Sequence, residues 1–185
     1  MSAFKMILTG CGGLLLLAVA GMFNSMVRRK NQVEYALASI DAQLRKRFDL
    51  IPNLIAVVEK YMSYEQTALE GLTALRARAA SGGLNEKERF ELDSQMAGTM
   101  KSLFAVAESY PHLRASSSFL HLQGSLNEVE EQLAAARRAY NAAVTDYNNG
   151  CEMLPLSLVA STMGYRLRPW FEISAEERQP VKVWR

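Results

Sequence analysis

The chain has 185 residues, 49% of them apolar, and a formal net charge of +2. This length and composition allow one sizeable core, and the small net charge excludes the basic footprint of a nucleic-acid-binding protein. Two cysteines, Cys11 and Cys151, lie far apart in the chain and exclude a disulfide framework.

The first predicted element is an apolar helix. Residues 6–23 carry no charge, and a helix of that length reaches about 27 Å, roughly one hydrocarbon core. A cleaved secretory signal is disfavoured because residues 24–27 (NSMV) are a poor cleavage site. A lipoprotein signal ending at Cys11 is disfavoured because the strongest apolar block, residues 14–19, follows that cysteine. We therefore predict that residues 1–24 form an uncleaved membrane anchor.

Basic residues on the two sides of this segment predict its orientation. Arg28, Arg29 and Lys30 follow it closely, whereas Lys5 and the terminal amine precede it. Positive charge is retained on the cytoplasmic side of a membrane. We predict a single-pass protein with an external N-terminus and a cytoplasmic domain. The three basic residues then lie at the membrane surface, where they can bind anionic lipids.

The periodicity after the anchor is helical almost throughout. The longest seam, with spacings of three and four, is typical of bundles and coiled coils; it comprises Phe119, Leu122, Leu126, Val129, Leu133, Ala136, Tyr140, Ala143 and Tyr147. Shorter stripes precede it: Val33, Leu37, Ile40 and Leu44, then Leu54, Val57 or Val58, Tyr61, Leu69 and Leu72, then Leu92, Met96, Leu103, Ala107 and Tyr110. No segment alternates with a period of two, so no sheet is predicted.

Loops are predicted at residues 81–83 and 110–112, and a helix stop at residues 148–150. The segment around Asp49 and Pro52 allows two interpretations. Asp49 can cap a new helix that has Pro52 in its first turn, or Pro52 can kink one continuous helix. We favour the break.

The predicted fold is therefore all-α. A single N-terminal transmembrane helix precedes an antiparallel four-helix bundle over residues 25–150. Its long helices are expected near residues 25–48, 50–80, 85–110 and 115–149.

Residues 151–185 form a C-terminal tail that combines apolar, aromatic and basic side chains. With four alternating helices the last one returns to the membrane, which predicts that Trp170 and Phe171 contact the lipid interface. If residues 25–80 are one helix, the tail lies at the distal end instead. A further interpretation is that the tail covers the open end of the bundle.

Three motifs carry a family resemblance. Residues 45–54 (RKRFDLIPNL), 107–115 (AESYPHLRA) and 136–141 (ARRAYN) occur in the order and pattern of the LemA family, and Tyr147-Asn148 extends the match. The chain resembles this family over roughly residues 26–171. The resemblance implies a single-span bacterial membrane protein with a helical bundle, a short external N-terminus and no established enzymatic activity, and it places the protein at the inner membrane.

The motif residues also predict a polar network that joins helices. Asp49 and Asn53 lie one turn apart, as do Arg137 and Asn141, and Arg138 follows directly. A buried Arg–carboxylate pair would satisfy both charges and fix helix register, so we predict a network joining Asp49 to Arg137 or Arg138. The alternative is helix capping by Asp49 with solvated arginines.

The sequence contains few residue patterns that indicate a catalytic or metal-binding site. His112 and His121 fall on opposite helix faces, and no Glu-x-x-His pair of the di-iron type occurs. We predict a non-enzymatic protein with no cofactor and no metal. The expected function is a self-associating scaffold or interaction module whose partners are membrane lipids, further copies of the chain and an unidentified membrane protein, with no nucleic acid. The alternative is a regulatory accessory protein that binds lipid, metal or a small ligand.

Overall fold

The computed structural model describes the backbone of residues 2–62, 66–83 and 85–171, and the side chains of residues 7–62, 69–83 and 85–171. Within these ranges the chain is all-helical and contains no strand, which confirms the predicted fold class. The helices are α1 (Ser2–Val58), α2 (Gln66–Ala80), α3 (Glu86–Ala107), α4 (Pro111–Arg114), α5 (Ser117–Glu152) and α6 (Leu156–Thr162).

The chain divides into two compact units. The anchor unit comprises Met1–Ser39 and Ala136–Trp170, and the core unit comprises Ile40–Ala135 and Phe171–Arg185. Each unit therefore combines one stretch of α1 with one stretch of α5. The domain boundaries predicted at residues 24 and 150 stay a prediction, and residues 172–185 of the predicted tail lie outside the described residues.

The predicted helix break at Asp49–Pro52 is wrong, because α1 continues through both residues to Val58. Proline removes one backbone N–H, which leaves only the carbonyl of Phe48 without its usual helical partner. The apolar neighbours of the proline, Ile51 and Leu54, are both fully buried, so packing on both sides offsets that loss. Asp49 consequently lies in mid-helix and caps nothing.

The turn after α1 occurs at residues that contain no glycine or proline. The amides of Tyr61 and Met62 both donate to the carbonyl of Val58, each at 2.9 Å, and the Met62 side chain is 2% exposed. Burial of the Met62 side chain therefore stabilises a turn that no glycine or proline in the local sequence predicts. Tyr61, predicted in the stripe, is exposed instead.

Apolar residues of α1, of the turn after it and of α2, α3, α4 and α5 form the centre of the core unit. The buried cluster comprises Ile51, Leu54, Val58, Met62, Leu69, Leu72, Met96, Met100, Leu103, Ala107, Leu113, Phe119 and Leu126. Gly82 and Gly83 link α2 to α3 with φ angles of 71° and 74°, a backbone region that glycine adopts without steric cost. The Asn85 side chain then caps α3 together with Glu88 in a capping box.

The long seam of α5 is buried along its length, as predicted, with one shift near its end. Val144 is fully buried, while Ala143 is only partly covered. The helix stop predicted at residues 148–150 is also displaced, since α5 continues to Glu152. Gly150 instead allows close helix contact, because a Cβ there would lie 2.7 Å from Met26 Sδ and 3.2 Å from Arg29 Cδ.

Candidate functional site

The apolar N-terminal part of α1 forms an exposed apolar surface. Leu14, Leu15, Leu16 and Leu17 are each 68–72% exposed, and the helix is long and apolar enough to cross a membrane. None of its most apolar window is buried by protein. An apolar surface of this size is hydrophobically costly in water, which supports anchoring of the chain in a membrane.

The three basic residues after this span are placed differently from one another. Arg28 is exposed. Arg29 packs against α5, where its Nη1 donates to the carbonyl oxygen of Asp146 at 2.7 Å. Lys30 is partly buried, and its Nζ lies 5.8 Å from the centre of the Tyr165 ring, which is a cation–π geometry.

Residues that follow α6 are fixed to α5 through their backbone. Asn148 is buried, and its side chain exchanges two hydrogen bonds of 2.9 Å with the backbone of Arg168, as donor to the carbonyl and as acceptor from the amide. The Tyr140 hydroxyl donates to the Pro169 carbonyl at 3.1 Å. The Arg168 guanidinium pairs with Glu34 of α1. Because the contacts engage main-chain groups, they specify a path for the tail.

The two aromatic residues predicted at the lipid interface have different surroundings. Trp170 is 51% exposed, and its Nε1 donates to Thr145 Oγ1 at 3.0 Å. Phe171 is buried, and its ring centre lies 4.2 Å from that of Phe90 in the core unit. Trp170 is therefore the member of the pair that remains accessible to a lipid surface.

Tyr147 lies on the buried face of α5 and also contacts the tail, with its ring 5.9 Å from that of Tyr165. Burial of the phenol, together with its hydrogen bond to Cys151, raises the pKa of Tyr147 to about 12. Desolvation penalises the phenolate, so this side chain stays neutral at physiological pH.

A buried ion-pair cluster lies in the core unit. Arg47 of α1 is 1% exposed; its Nη1 contacts Asp93 Oδ1 of α3 at 2.8 Å, and its Nη2 pairs with Glu130 of α5. Asp93 is also 1% exposed. A charge-assisted contact of this kind satisfies groups that are costly to bury alone and fixes their mutual position. Its chemical role is structural, since it links three helices.

The sequence contains a pattern that could have predicted this cluster, namely charged residues at buried positions of two helices. Arg47 continues the α1 series that runs through Ile40, Leu44, Ile51 and Leu54 with spacings of four and three, so it occupies a core position. Asp93 stands in the same relation to Met96 and Met100 in α3. Charged residues at seam positions are those that need a buried partner.

The residues of the predicted polar network lie in both units. Asp49 and Asn53 of the core unit are exposed; in the anchor unit Arg138 is exposed, while Arg137 and Asn141 are partly buried. Asp49 lines a shallow cleft with Asp41, Arg45 and Arg76, whereas Asn53 lines another with His121. The network joining Asp49 to the arginines stays a prediction.

Among the described residues, no group of three or more His, Cys, Asp or Glu side chains is placed to hold a metal ion. Both histidines, His112 and His121, are exposed. A cavity of about 300 Å³ beside Arg47 is lined by four apolar side chains, Ala97, Met100, Phe104 and Leu126, and by the polar side chains of Arg47, Lys101, Asn127 and Glu130. It offers space for an apolar group next to a charge pair, and no arrangement typical of nucleophilic or acid–base catalysis surrounds it.

Comparison with known proteins relates the chain to one family. The model of the LemA family matches residues 36–184. Protein LemA of Metamycoplasma hominis is 24% identical, over 91% of this chain and 77% of the relative. Magnetosome protein MamQ 2 of Paramagnetospirillum magneticum is 22% identical, over 86% of this chain and 68% of the relative. Magnetosome protein MamQ of Magnetospirillum gryphiswaldense is 18% identical over the same shares.

Proposed function

Because the chain belongs to the LemA family, we propose that it is a non-catalytic scaffold that self-associates at the bacterial inner membrane. The family is not known for enzymatic activity, and the names of the relatives state no reaction. The apolar helix supports membrane anchoring. The proposed scaffold would use the membrane to raise the local concentration of copies of the chain, which favours weak contacts between them.

One observation carries this proposal: an uncovered face of α1 that continues the apolar span without a loop. Its members follow spacings of three and four and are all exposed: Leu17, Gly21, Asn24, Arg28, Asn31, Tyr35 and Ala38. Tyr35 is 80% exposed. Such spacing is that of a coiled-coil seam, and polar seam residues such as Asn24 and Asn31 select register and partner number at a cost in stability.

The proposed topology has an external N-terminus and a cytoplasmic domain. Support comes from Arg28, Arg29 and Lys30 directly after the span, against Lys5 before it. A reporter fused after Arg185 tests it: activity of a cytoplasmic reporter supports the topology, and activity of a periplasmic reporter contradicts it.

Self-association is tested by counting fluorescent photobleaching steps of the full-length chain in lipid nanodiscs. The proposal expects more than one copy per disc, and fewer copies for Tyr35→Ser, which removes the largest side chain from the uncovered face. Tyr61→Ser is the matched control, because Tyr61 is another exposed tyrosine. A full-length protein that stays monomeric under all loading conditions refutes self-association.

Binding of a small ligand is the alternative function, favoured by the cavity beside Arg47. It predicts a co-purifying apolar molecule with the intact protein, detectable by native mass spectrometry. Replacement of Met100 by Trp would fill the cavity and release that molecule while leaving the copy number unchanged.

A further inference from the structure

Three exposed apolar residues cluster at the corner between α5 and α6, within the anchor unit. Met153 is 61% exposed, Leu154 75% and Leu158 63%. The Ser157 amide donates to the Met153 carbonyl at 3.0 Å, which brings the members of this group within one turn. We call Met153, Leu154 and Leu158 the apolar corner. Exposure of three clustered apolar side chains to water is unfavourable, so this group is expected to contact lipid or another apolar surface.

Contacts between α1 and α5 place the apolar corner beside the end of the membrane span. Arg29 contacts Asp146 and Met26 faces Gly150, so α5 runs antiparallel to α1 here and approaches the span as its residue number rises. α5 ends at Glu152, two residues or about 3 Å past Gly150 in the direction of the span. The apolar corner starts at the next residue, Met153, and therefore lies close to the end of the span.

We propose that the apolar corner inserts into the boundary between headgroups and acyl chains of the same bilayer that holds the span. The proposal rests on the membrane anchoring in the proposed function and deepens it by naming a second lipid contact. The corner follows the end of α5 that approaches the span, and the exposed Arg28 and Arg166 of the same unit supply positive charge for anionic headgroups. The anchor unit would therefore be held against the membrane at two points, by the span and by the corner.

The tail beyond the corner runs away from the span. Tyr165 lies beside Lys30, and Arg168 pairs with Glu34, which is eleven residues or about 16 Å beyond Phe23 along α1. The corner therefore meets the bilayer before Trp170 does.

Fluorescence quenching by lipid tests the proposal with the full-length chain. Cys11→Ser and Cys151→Ser give a background for single cysteines at Leu15, Gln32, Leu154 and Leu158, each labelled with an environment-sensitive dye. The vesicles contain phosphatidylethanolamine and phosphatidylglycerol, with nitroxides both near the ester end and near the methyl end of the acyl chains. Leu15 reports on the span, and Gln32 is an exposed control on α1 about 14 Å beyond Phe23.

We expect dyes at positions 154 and 158 to be quenched at least about three-fold more than the dye at position 32. If only the dye at position 15 is quenched, the anchor holds and the second lipid contact is overturned. If the dye at position 15 is not quenched either, membrane anchoring and the corner proposal both fail. Blue-shifted but unquenched dyes at 154 and 158 would show a protein cover, which also overturns the proposal.

Discussion

The buried Arg47–Asp93 pair makes a quantitative prediction about the stability of the core unit. Replacing Asp93 with Leu leaves the Arg47 guanidinium buried, and its contact with Glu130 is retained. Breaking a buried pair in this way costs about 3–5 kcal/mol. The Glu130 side chain is 42% exposed and keeps its contact, so we expect the lower end, about 3 kcal/mol.

Removing both charges has a different consequence. Arg47→Met combined with Asp93→Leu replaces the pair by apolar side chains of similar size, and Glu130 can then hydrate. Such replacements are often close to neutral, so we expect the double variant to lose about 1 kcal/mol or less. The coupling between the two sites is then about 2 kcal/mol or more, well above the value for independent positions.

Urea unfolding of the full-length chain in detergent micelles, followed by far-ultraviolet circular dichroism, measures both values. Asp41→Leu is the matched control, because its pair with Arg89 spans the same two helices but is partly exposed; removal of such a pair costs about 0–1 kcal/mol. The reasoning is refuted if Asp93→Leu costs no more than Asp41→Leu. It is also refuted if the double variant costs as much as the sum of its single variants.

Three further predictions concern the anchor unit. Gly150→Ala is expected to be less stable than Gly124→Ala by about 1 kcal/mol in thermal unfolding. An added Cβ at position 150 meets the Met26 side chain, which is fully buried and has little room to shift, whereas position 124 of the same helix offers open space. Asn148→Ala removes both side-chain hydrogen bonds to the tail and is expected to lower the free energy of unfolding by about 1–3 kcal/mol. It is also expected to speed amide exchange at residues 160–170, whereas the exposed control Asn149→Ala leaves exchange unchanged. Tyr147→Phe is expected to delete the component near pH 12 from the absorbance titration of the tyrosines.

The sign of the tyrosine effect on stability follows from its raised pKa. Tyr147 has a pKa of about 12 in the folded chain, against the ordinary tyrosine pKa of 10.0, so the unfolded chain loses this proton first. The contribution to stability is complete below pH 10 and is lost as pH rises through 12. A titration of the Phe variant that still contains this component would contradict the assignment. Equal stability of the two glycine variants, or unchanged exchange in Asn148→Ala, would contradict the other two predictions.

Helical periodicity predicted most of the core, because burial follows spacing whenever apolar residues recur every three and four positions. The series Val33, Leu37, Ile40 and Leu44 is buried throughout, as predicted. The helix boundaries near Pro52 could not be predicted in this way. A proline costs a helix one hydrogen bond, and the burial of Ile51 and Leu54 that offsets this cost is a tertiary property.

The structural role of charged residues was harder to predict than the apolar core. Arginine and aspartate are rarely buried. Burial of Arg47 and Asp93 was therefore not predicted, although both residues stand in seam positions. The prediction used Asp49 instead, which is exposed. The C-terminal tail that contains Leu154 and Leu158 was predicted at the bundle end or the membrane interface, but only the pairing of α1 with α5 brings the apolar corner close to the span.

Membrane retention of the intact chain is the central claim, and intact-mass measurement of the protein in alkali-washed membranes tests it most directly. We predict a mass of the full chain, 20.6 kDa, in the membrane fraction. A polypeptide shortened by its first two dozen or so residues, as signal cleavage would produce, or a full-length chain released by the wash, would contradict the account.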